Sequence, residues 1–287
     1  MLMRLAVLSD IHSNSIALKA CIDYIEQQSV DGLLLLGDYV SDCPNPQETL
    51  KLLRYLNKQY KVFMIRGNRE QYFLNYKKGL AGDWKYTSYQ GSLLYTYERL
   101  TENDLDWFAS MPETMLLELE GTAPILLVHG SPLYARELMD AGKENTDKYL
   151  EQLPIDYMVA GHTHRQFIYK KNGKHLLNPG SVGVAIGVEN SAHMAMLTWK
   201  QGKWNTELLT IPYDYKKVCE IFKKSSLMKK AKIWPKCILK SISTGVNLGP
   251  ICAKRSFDLA MEAKEPLENN IVPEKYWEKA AREIGVL

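Results

Sequence analysis

Short apolar runs alternate with stretches of helical spacing along the first three-quarters of the chain. Arg4–Leu8 is a short run that is apolar after its arginine, as in a strand buried on both faces, and stops just before Asp10. From Ser15 to Gln28 the apolar residues Ile16, Ala17, Ala20, Cys21, Tyr24 and Ile25 recur at helical spacing. Gly32–Leu36 predicts a second buried strand, Pro46–Asn57 a helix and Val62–Ile65 a third strand. This β-α-β-α-β order implies right-handed crossovers and a largely parallel sheet. Leu74–Leu119, rich in Trp and Tyr, reads as helices covering one end of the sheet. Ile125–Val128 and Tyr157–Ala160 are further strands. Arg165–Tyr169, His175–Asn178, Met194–Thr198 and Thr206–Ile211 predict a second, more antiparallel sheet, with hairpin turns at Asn172-Gly173 and Gln201-Gly202. Beyond Pro212 the pattern turns helical, with Ser256–Glu265 and Glu274–Ile284 among the segments, and Trp234-Pro235 splits a lysine-rich stretch into two helices.

Composition narrows the class. With 287 residues, 46% hydrophobic and 24% charged, the chain can bury a sizeable core and is not of disordered composition. No apolar run approaches the roughly 20 residues that span a bilayer, so no membrane role is expected. Five cysteines without a C-x-x-C pair suggest a reduced, cytoplasmic chain. Residues 1–212 carry 21 Lys/Arg against 24 Asp/Glu, and residues 213–287 carry 15 against 9, giving −3 and +6. The division expected is a body, 1–212, and a lysine-rich helical extension, 213–287. The extension interleaves apolar residues such as Val218, Phe222, Ile233 and Trp234 with its lysines, so it should pack on the body or on a second copy in a homo-oligomer. A net charge of +3 gives no reason to expect a nucleic-acid partner, and a solvated face is the simplest reading of the lysines.

The candidate chemistry lies where the strands end. Five short motifs follow one another: Asp10-x-His12, Gly37-Asp38, Gly67-Asn68-Arg69-Glu70, His129-Gly130 and Gly161-His162-Thr163-His164. Four of the six histidines fall inside them. Ligands of α/β sheets collect beyond the carboxyl ends of strands, so these motifs can converge. Carboxylate, imidazole and amide groups together suit two divalent ions, with positions left for water and substrate. Asp38, on the central strand, is the candidate bridge. One ion would take Asp10, His12, Asp38 and His164, and the other Asp38, Asn68, His129 and His162. His162 and His164, two apart, can each meet a different ion. Each motif alone is weak, and the ordered set of five is not.

The set resembles the calcineurin-like metallophosphoesterases, whose pattern is D-x-H, G-D, G-N-H-[DE], H and G-H-x-H. The small bacterial and archaeal phosphodiesterase branch, which includes diadenosine-tetraphosphatase-like enzymes, is similar also in Asn178-Pro179-Gly180-Ser181-Val182-Gly183. The match covers about residues 4–211. It implies a four-layer α/β/β/α sandwich of two mixed sheets, carrying here a C-terminal helical extension. It also implies two transition-metal ions (Mn, Fe, Ni or Zn) and in-line attack on phosphorus by an activated water. The chain departs from the pattern at Arg69, where the family's usual His assists the leaving group. Arginine holds its proton at any working pH, so it can stabilise phosphoryl charge without acting as an acid. Asp38, Asn68 and Arg69 are therefore the residues expected at the reacting centre.

Hydrolysis of a phosphodiester or phosphoanhydride follows, with small nucleotides such as diadenosine polyphosphates as the favoured class. A serine/threonine protein phosphatase shares the motifs but normally keeps the missing His. A non-catalytic metal-binding scaffold, like the retromer subunit of this fold, is the alternative of another class, and the intact ligand set disfavours it. Asn14 reads equally as a phosphate contact or a helix cap, Glu70 could orient Arg69, and His175 and His193 read as structural or surface residues.

Overall fold

A computed structural model describes residues 2–267 and 271–287. Strand β1 (Met3–Leu8) leads through α1 (Ser15–Glu26) to β2 (Gly32–Leu35), and through α2 (Pro46–Gln59) to β3 (Val62–Met64). Both pairings are parallel, with Leu5 opposite Gly32 and Leu33 opposite Val62. Three helices follow: α3 (Asn68–Lys77), α4 (Gly91–Tyr97) and α5 (Glu102–Ser110). Then come β4 (Thr114–Leu117), β5 (Ile125–Val128), α6 (Glu144–Gln152), β6 (Tyr157–Val159), β7 (Gln166–Lys171), β8 (Lys174–Pro179), β9 (Ser191–Lys200) and β10 (Lys203–Pro212). The remaining elements are α7 (Tyr215–Lys224), α8 (Leu227–Lys230), α9 (Trp234–Thr244), α10 (Leu248–Glu262) and α11 (Glu274–Glu283).

The strands form two mixed sheets, β10-β9-β1-β2-β3 and β4-β5-β6-β8-β7. Here the structure corrects the expectation from sequence. Met194–Thr198 and Thr206–Ile211 belong to the first sheet, where β9 runs antiparallel to β1 and carries β10 on its outer edge. The second sheet keeps β7 and β8 but centres on parallel β5, β6 and β8, so it is less antiparallel than expected. Its edge strand β4 lies in the stretch read as helical. The cause is visible in β9: Ala192 to Leu197 are all buried, so no in–out alternation marks which sheet they join. Helix α10 also starts earlier than the Ser256 boundary, because Pro250 sits in its first turn, where proline is tolerated. Both anticipated hairpin turns form, with positive φ at Asn172, Gly173, Gln201 and Gly202, as a two-residue primed turn requires.

Strand β1 shows how the layers arise. Leu5 and Val7 face the second sheet, packing with Leu34, Ile65, Leu127 and Leu177. Ala6 and Leu8 face the opposite way, into Leu18, Ile22, Leu53 and Phe73 of the helices. On the far side, Met158 and Leu176 pack with Leu150 of α6. The result is the α/β/β/α sandwich, held by side chains worth about 1.5–3 kcal/mol each on full burial. At the amino ends of β5 and β6 the sheets part around a cavity of about 230 Å³, lined by Ile125, Met158, His175 and Trp204 among others. That cavity lies at the strand ends opposite the sequence motifs.

The region after Pro212 packs on the body. Val218, Phe222, Leu227 and Ile238 share a cluster with Cys43, Tyr95 and Val184. Glu274 accepts bonds from the Ser88 backbone at 2.8 Å and hydroxyl at 2.6 Å. The aromatic stretch is largely cover: Trp84 is buried and stacks on Tyr76.

Candidate metal centre

All five motifs leave the carboxyl ends of strands or open helices there, and their side chains converge. Two groups of ligand atoms form: Asp10 with His12 and His164, and Asp38 with His129 and His162. In the first, Nε2 of His12 and Nε2 of His164 face each other at 3.0 Å. Asp10 Oδ1 lies 3.7 Å from the one and 3.3 Å from the other. In the second, His129 Nε2 is 3.4 Å from Asp38 Oδ1 and 3.1 Å from Asn68 Oδ1. The other oxygen of Asp38 lies 3.8 Å from His12 Nε2, so this one carboxylate borders both groups.

These atoms suit metal ions. Nitrogens held about 2.0–2.1 Å from a tetrahedral ion lie roughly 3.3 Å apart, close to the spacing of the facing imidazoles. Asp10 Oδ1 is buried and has no hydrogen-bond partner, an unfavourable state for a carboxylate oxygen unless a cation meets it. The ring orientations are fixed from behind. His129 Nδ1 lies 2.7 Å from the Leu36 carbonyl and His164 Nδ1 2.9 Å from that of Val184. A carbonyl only accepts, so each Nδ1 carries a hydrogen and each Nε2 is left as the atom that can meet an ion. His162 differs: its Nε2 lies 3.0 Å from the Arg136 carbonyl, which leaves Nδ1 as the free ligand atom.

The backbone is bent to present these groups. Asp10, His12, Asp38, His162 and His164 all have φ between 48° and 64°. Left-handed conformations of non-glycine residues are uncommon and cluster at functional sites. Neighbours hold the strain. Asp10 Oδ2 accepts from the Ser9 hydroxyl at 2.6 Å and from the His162 backbone at 2.9 Å. Gly183 N donates to the Asp10 carbonyl at 3.0 Å, and a Cβ on Gly183 would come within 2.0 Å of the Ile11 carbonyl oxygen. The Asn178–Gly183 loop thus braces the wall of the site. Asn14 caps α1 through the Ala17 backbone N–H, 3.2 Å away, and also donates to the Gly183 carbonyl.

Electrostatics follow from burial and proximity. Burial opposes charge on His12, but Asp10 and Asp42 outweigh it and hold its pKa up to about 10. Burial likewise opposes charge on His129, and Asp38 overcomes it, raising the value to about 9. His162 is pushed down to about 4, first by burial and then by repulsion from His129. Burial favours the neutral form of Asp38, yet His129 and His12 draw it down to about 2. Without an ion, protons on His12 and His129 therefore supply the positive charge these carboxylates require.

Arg69, in the first turn of α3, lies beside the carboxylates. Its backbone N–H donates to Asp38 Oδ1 at 2.8 Å, Nε is 3.8 Å from Asp38 Oδ2, and Nη2 is 2.9 Å from Asp42 Oδ2. Its buried Nε has no hydrogen-bond partner. Glu70 does not orient Arg69. Its carboxylate accepts from the backbone N–H groups of Gly67, Asp38 and Tyr39, each at 2.9 Å, and so fixes the turn that presents Asp38. Burial and the nearby Asp38 raise its pKa to about 7. Asp42 is the residue missed in the sequence. It is buried beside His12 and Arg69, with its pKa held well below the usual carboxylate range: burial opposes this, and Arg69 and His12 prevail. The remaining histidines lie apart from the two groups: His175 stacks on Tyr157, and His193 is buried against Gly180.

Comparison with known proteins bears on the family and the fold. Residues 3–202 match the model of the calcineurin-like phosphoesterase superfamily domain. An uncharacterized protein of Methanocaldococcus jannaschii is 27% identical over 238 residues, covering 78% of this chain and 93% of its own. A hypothetical protein of Pyrococcus horikoshii OT3 has the same fold at 19% identity, with a TM-score of 0.71, over 85% of this chain and 99% of its own. A metallophosphoesterase of Sphaerobacter thermophilus superposes with a TM-score of 0.63 at 20% identity, over 85% of this chain and 100% of its own. The chain belongs to the calcineurin-like phosphoesterase superfamily.

Proposed function

We propose that the protein is a dinuclear metal-dependent hydrolase of phosphodiesters or phosphoanhydrides, acting on small nucleotides such as diadenosine polyphosphates. The observation that carries this reading is the pair of three-residue groups bordered by one carboxylate, Asp38. Asp10, His12, Asp38 and His164 would hold one divalent ion, and Asp38, Asn68, His129 and His162 the other. Manganese, iron, nickel or zinc suits four imidazoles better than calcium does. When bound, such ions supply charge for the phosphoryl oxygens and lower the pKa of water.

The chain's own groups do the rest. Asp38 holds the two sites in register, and Glu70 keeps its backbone in place. The Arg69 guanidinium, partly exposed beside Asp38, can offer positive charge to an oxygen of the transferring group. Burial lowers the pKa of Arg69, but Asp42 and Asp38 raise it beyond its ordinary value, so it keeps its proton. A leaving group that departs without a proton fits this site best, which favours an anhydride or an aryl ester over a seryl ester. That is the argument against the protein-phosphatase alternative. The five unpaired cysteines support a reducing, cytoplasmic location. Among the described residues no helix is long and apolar enough to cross a membrane.

The test is to strip the protein with chelator, titrate manganese, and assay bis-aryl phosphate, aryl monophosphate, a dinucleoside tetraphosphate and a cyclic nucleotide. Two equivalents bound, with the tetraphosphate or the diester preferred, is the expected result. Fewer than two equivalents, or no turnover of any of the four, rules the reading out.

A further inference from the structure

The family match ends at residue 202, yet a side chain far beyond it reaches the candidate centre. Asp42 is 3% exposed, and a carboxylate buried to that degree requires partners on both oxygens. Its Oδ2 lies 2.9 Å from Nη2 of Arg69 and 3.2 Å from Nδ1 of His12. Its Oδ1 accepts from the indole Nε1–H of Trp234 at 2.8 Å and from the Ser92 hydroxyl at 3.2 Å. The Asp42 backbone N–H donates to the same serine oxygen at 2.9 Å. One buried anion thus joins a candidate metal ligand, the arginine beside it, and the first residue of α9 in the C-terminal region.

We propose that Trp234 is a positioning residue for the metal centre, its indole N–H fixing the Asp42 carboxylate that in turn sets His12 and Arg69. The indole is well placed to do so. It is rigid and has only a donor to offer. Its ring packs against Gly249, where an added Cβ would meet it at 3.1 Å, and stands edge-on to Trp277 at 6.4 Å. The preceding Ile233 backbone donates to the Ser88 hydroxyl at 3.1 Å, tying this turn to the body. The N–H direction is therefore set by the fold of the C-terminal helices. Without it, Oδ1 keeps only the hydroxyl of Ser92, and the carboxylate can rotate away from His12 and Arg69. The C-terminal region, on this argument, completes the site.

This inference rests on the dinuclear reading, and one experiment separates the two. Manganese affinity is measured by competition with a fluorescent chelator for the native chain, Trp234→Phe, Asp42→Asn and the double variant. Phenylalanine keeps one aromatic ring in the packing while removing the donor and part of the indole's volume. Partners behind metal ligands typically change affinity about 10–100-fold. The expected result is a loss of that order in Trp234→Phe, with the variant still folded at the assay temperature. In the Asp42→Asn background the same substitution should change affinity less than about twofold, since the effect passes through Asp42. Affinity in Trp234→Phe within twofold of native, or an undiminished loss in the Asp42→Asn background, overturns the proposal. A native chain that binds fewer than two manganese ions overturns the dinuclear reading instead. Should Trp234→Phe fail to fold, the indole N–H resonance of Trp234 in the native protein decides. A shift on addition of zinc, which is diamagnetic, supports the coupling, and an unmoved resonance overturns it.

Discussion

Replacing Arg69 separates charge stabilisation from proton donation. Arg69→Ala removes the guanidinium that lies 2.9 Å from the buried Asp42 and whose Nε is 3.8 Å from Asp38. A hydrogen bond to a charged group contributes about 1.5–3 kcal/mol, so a stability loss of that order is expected. Chemistry should suffer as well. Losing one donor aimed at developing charge typically costs about 10²–10³ in rate, and this should fall on every substrate alike. Arg69→His is the informative partner. An acid contributes about 10²–10⁴ only where the leaving group needs a proton, equal to roughly 2.7–5.4 kcal/mol of barrier at 1.36 kcal/mol per decade. Relative to Arg69→Ala, it should rescue phosphoserine far more than a dinucleoside tetraphosphate. In the native chain, kcat/KM across aryl and alkyl phosphodiesters should fall steeply as the leaving-group pKa rises, and Arg69→His should flatten the slope. The reasoning is refuted if native enzyme prefers a phosphoserine peptide to the tetraphosphate, or if its slope is already shallow. Either result would mean that another residue supplies the proton, and the protein-phosphatase reading would replace this one.

Other expectations follow from the same geometry. Asp38→Asn should abolish turnover and lower bound manganese below two equivalents, as measured by elemental analysis after desalting. His175→Ala and His193→Ala should each change kcat/KM by less than about tenfold, or about 1.4 kcal/mol, and a larger loss would mean the site is misassigned. The metal-free chain should respond to pH through His12 and His129, whose pKa values are raised to about 10 and about 9. Stability from a raised histidine is complete below its unfolded value of about 6.5 and is lost as pH climbs through the folded value. Thermal melts of chelator-treated protein should therefore fall between pH 7 and 10, while the stabilisation added by manganese grows as ions displace those protons. A metal-free melting temperature that rises across that window would contradict the assignment. Deleting residues 213–287 should expose the apolar face around Cys43, Tyr95 and Val184 and lower solubility, as judged by light scattering.

Much of this protein is legible along the chain because its information is local. Each of β1, β2, β5 and β6 is a short apolar run, and the residues that follow are the ones the fold brings together: Asp10, Asp38, His129 and His162. The parallel β-α-β order places those ends at one edge of the sandwich, so position on the strand was enough to anticipate convergence. The hairpin turns were also legible, since Asn172-Gly173 and Gln201-Gly202 act through their own backbone neighbourhood, whereas Asn14 read equally as a cap or a phosphate contact until its bond to the Ala17 backbone was seen. Tertiary structure alone decided the rest. Strand β9 is buried on both faces through Ala192–Leu197 and carries no alternation there, so only packing shows that it and its hairpin partner β10 flank β1 and not the second sheet. Glu70 reads as an acid in a first helical turn until the fold sets it over the backbone of Asp38 and Tyr39. Asp42 lies in a loop without motif or periodicity, and its partners Arg69, Ser92 and Trp234 are 27, 50 and 192 residues away. A buried carboxylate takes its meaning from the groups that neutralise it, and a chain separated by such distances identifies them only once it has folded.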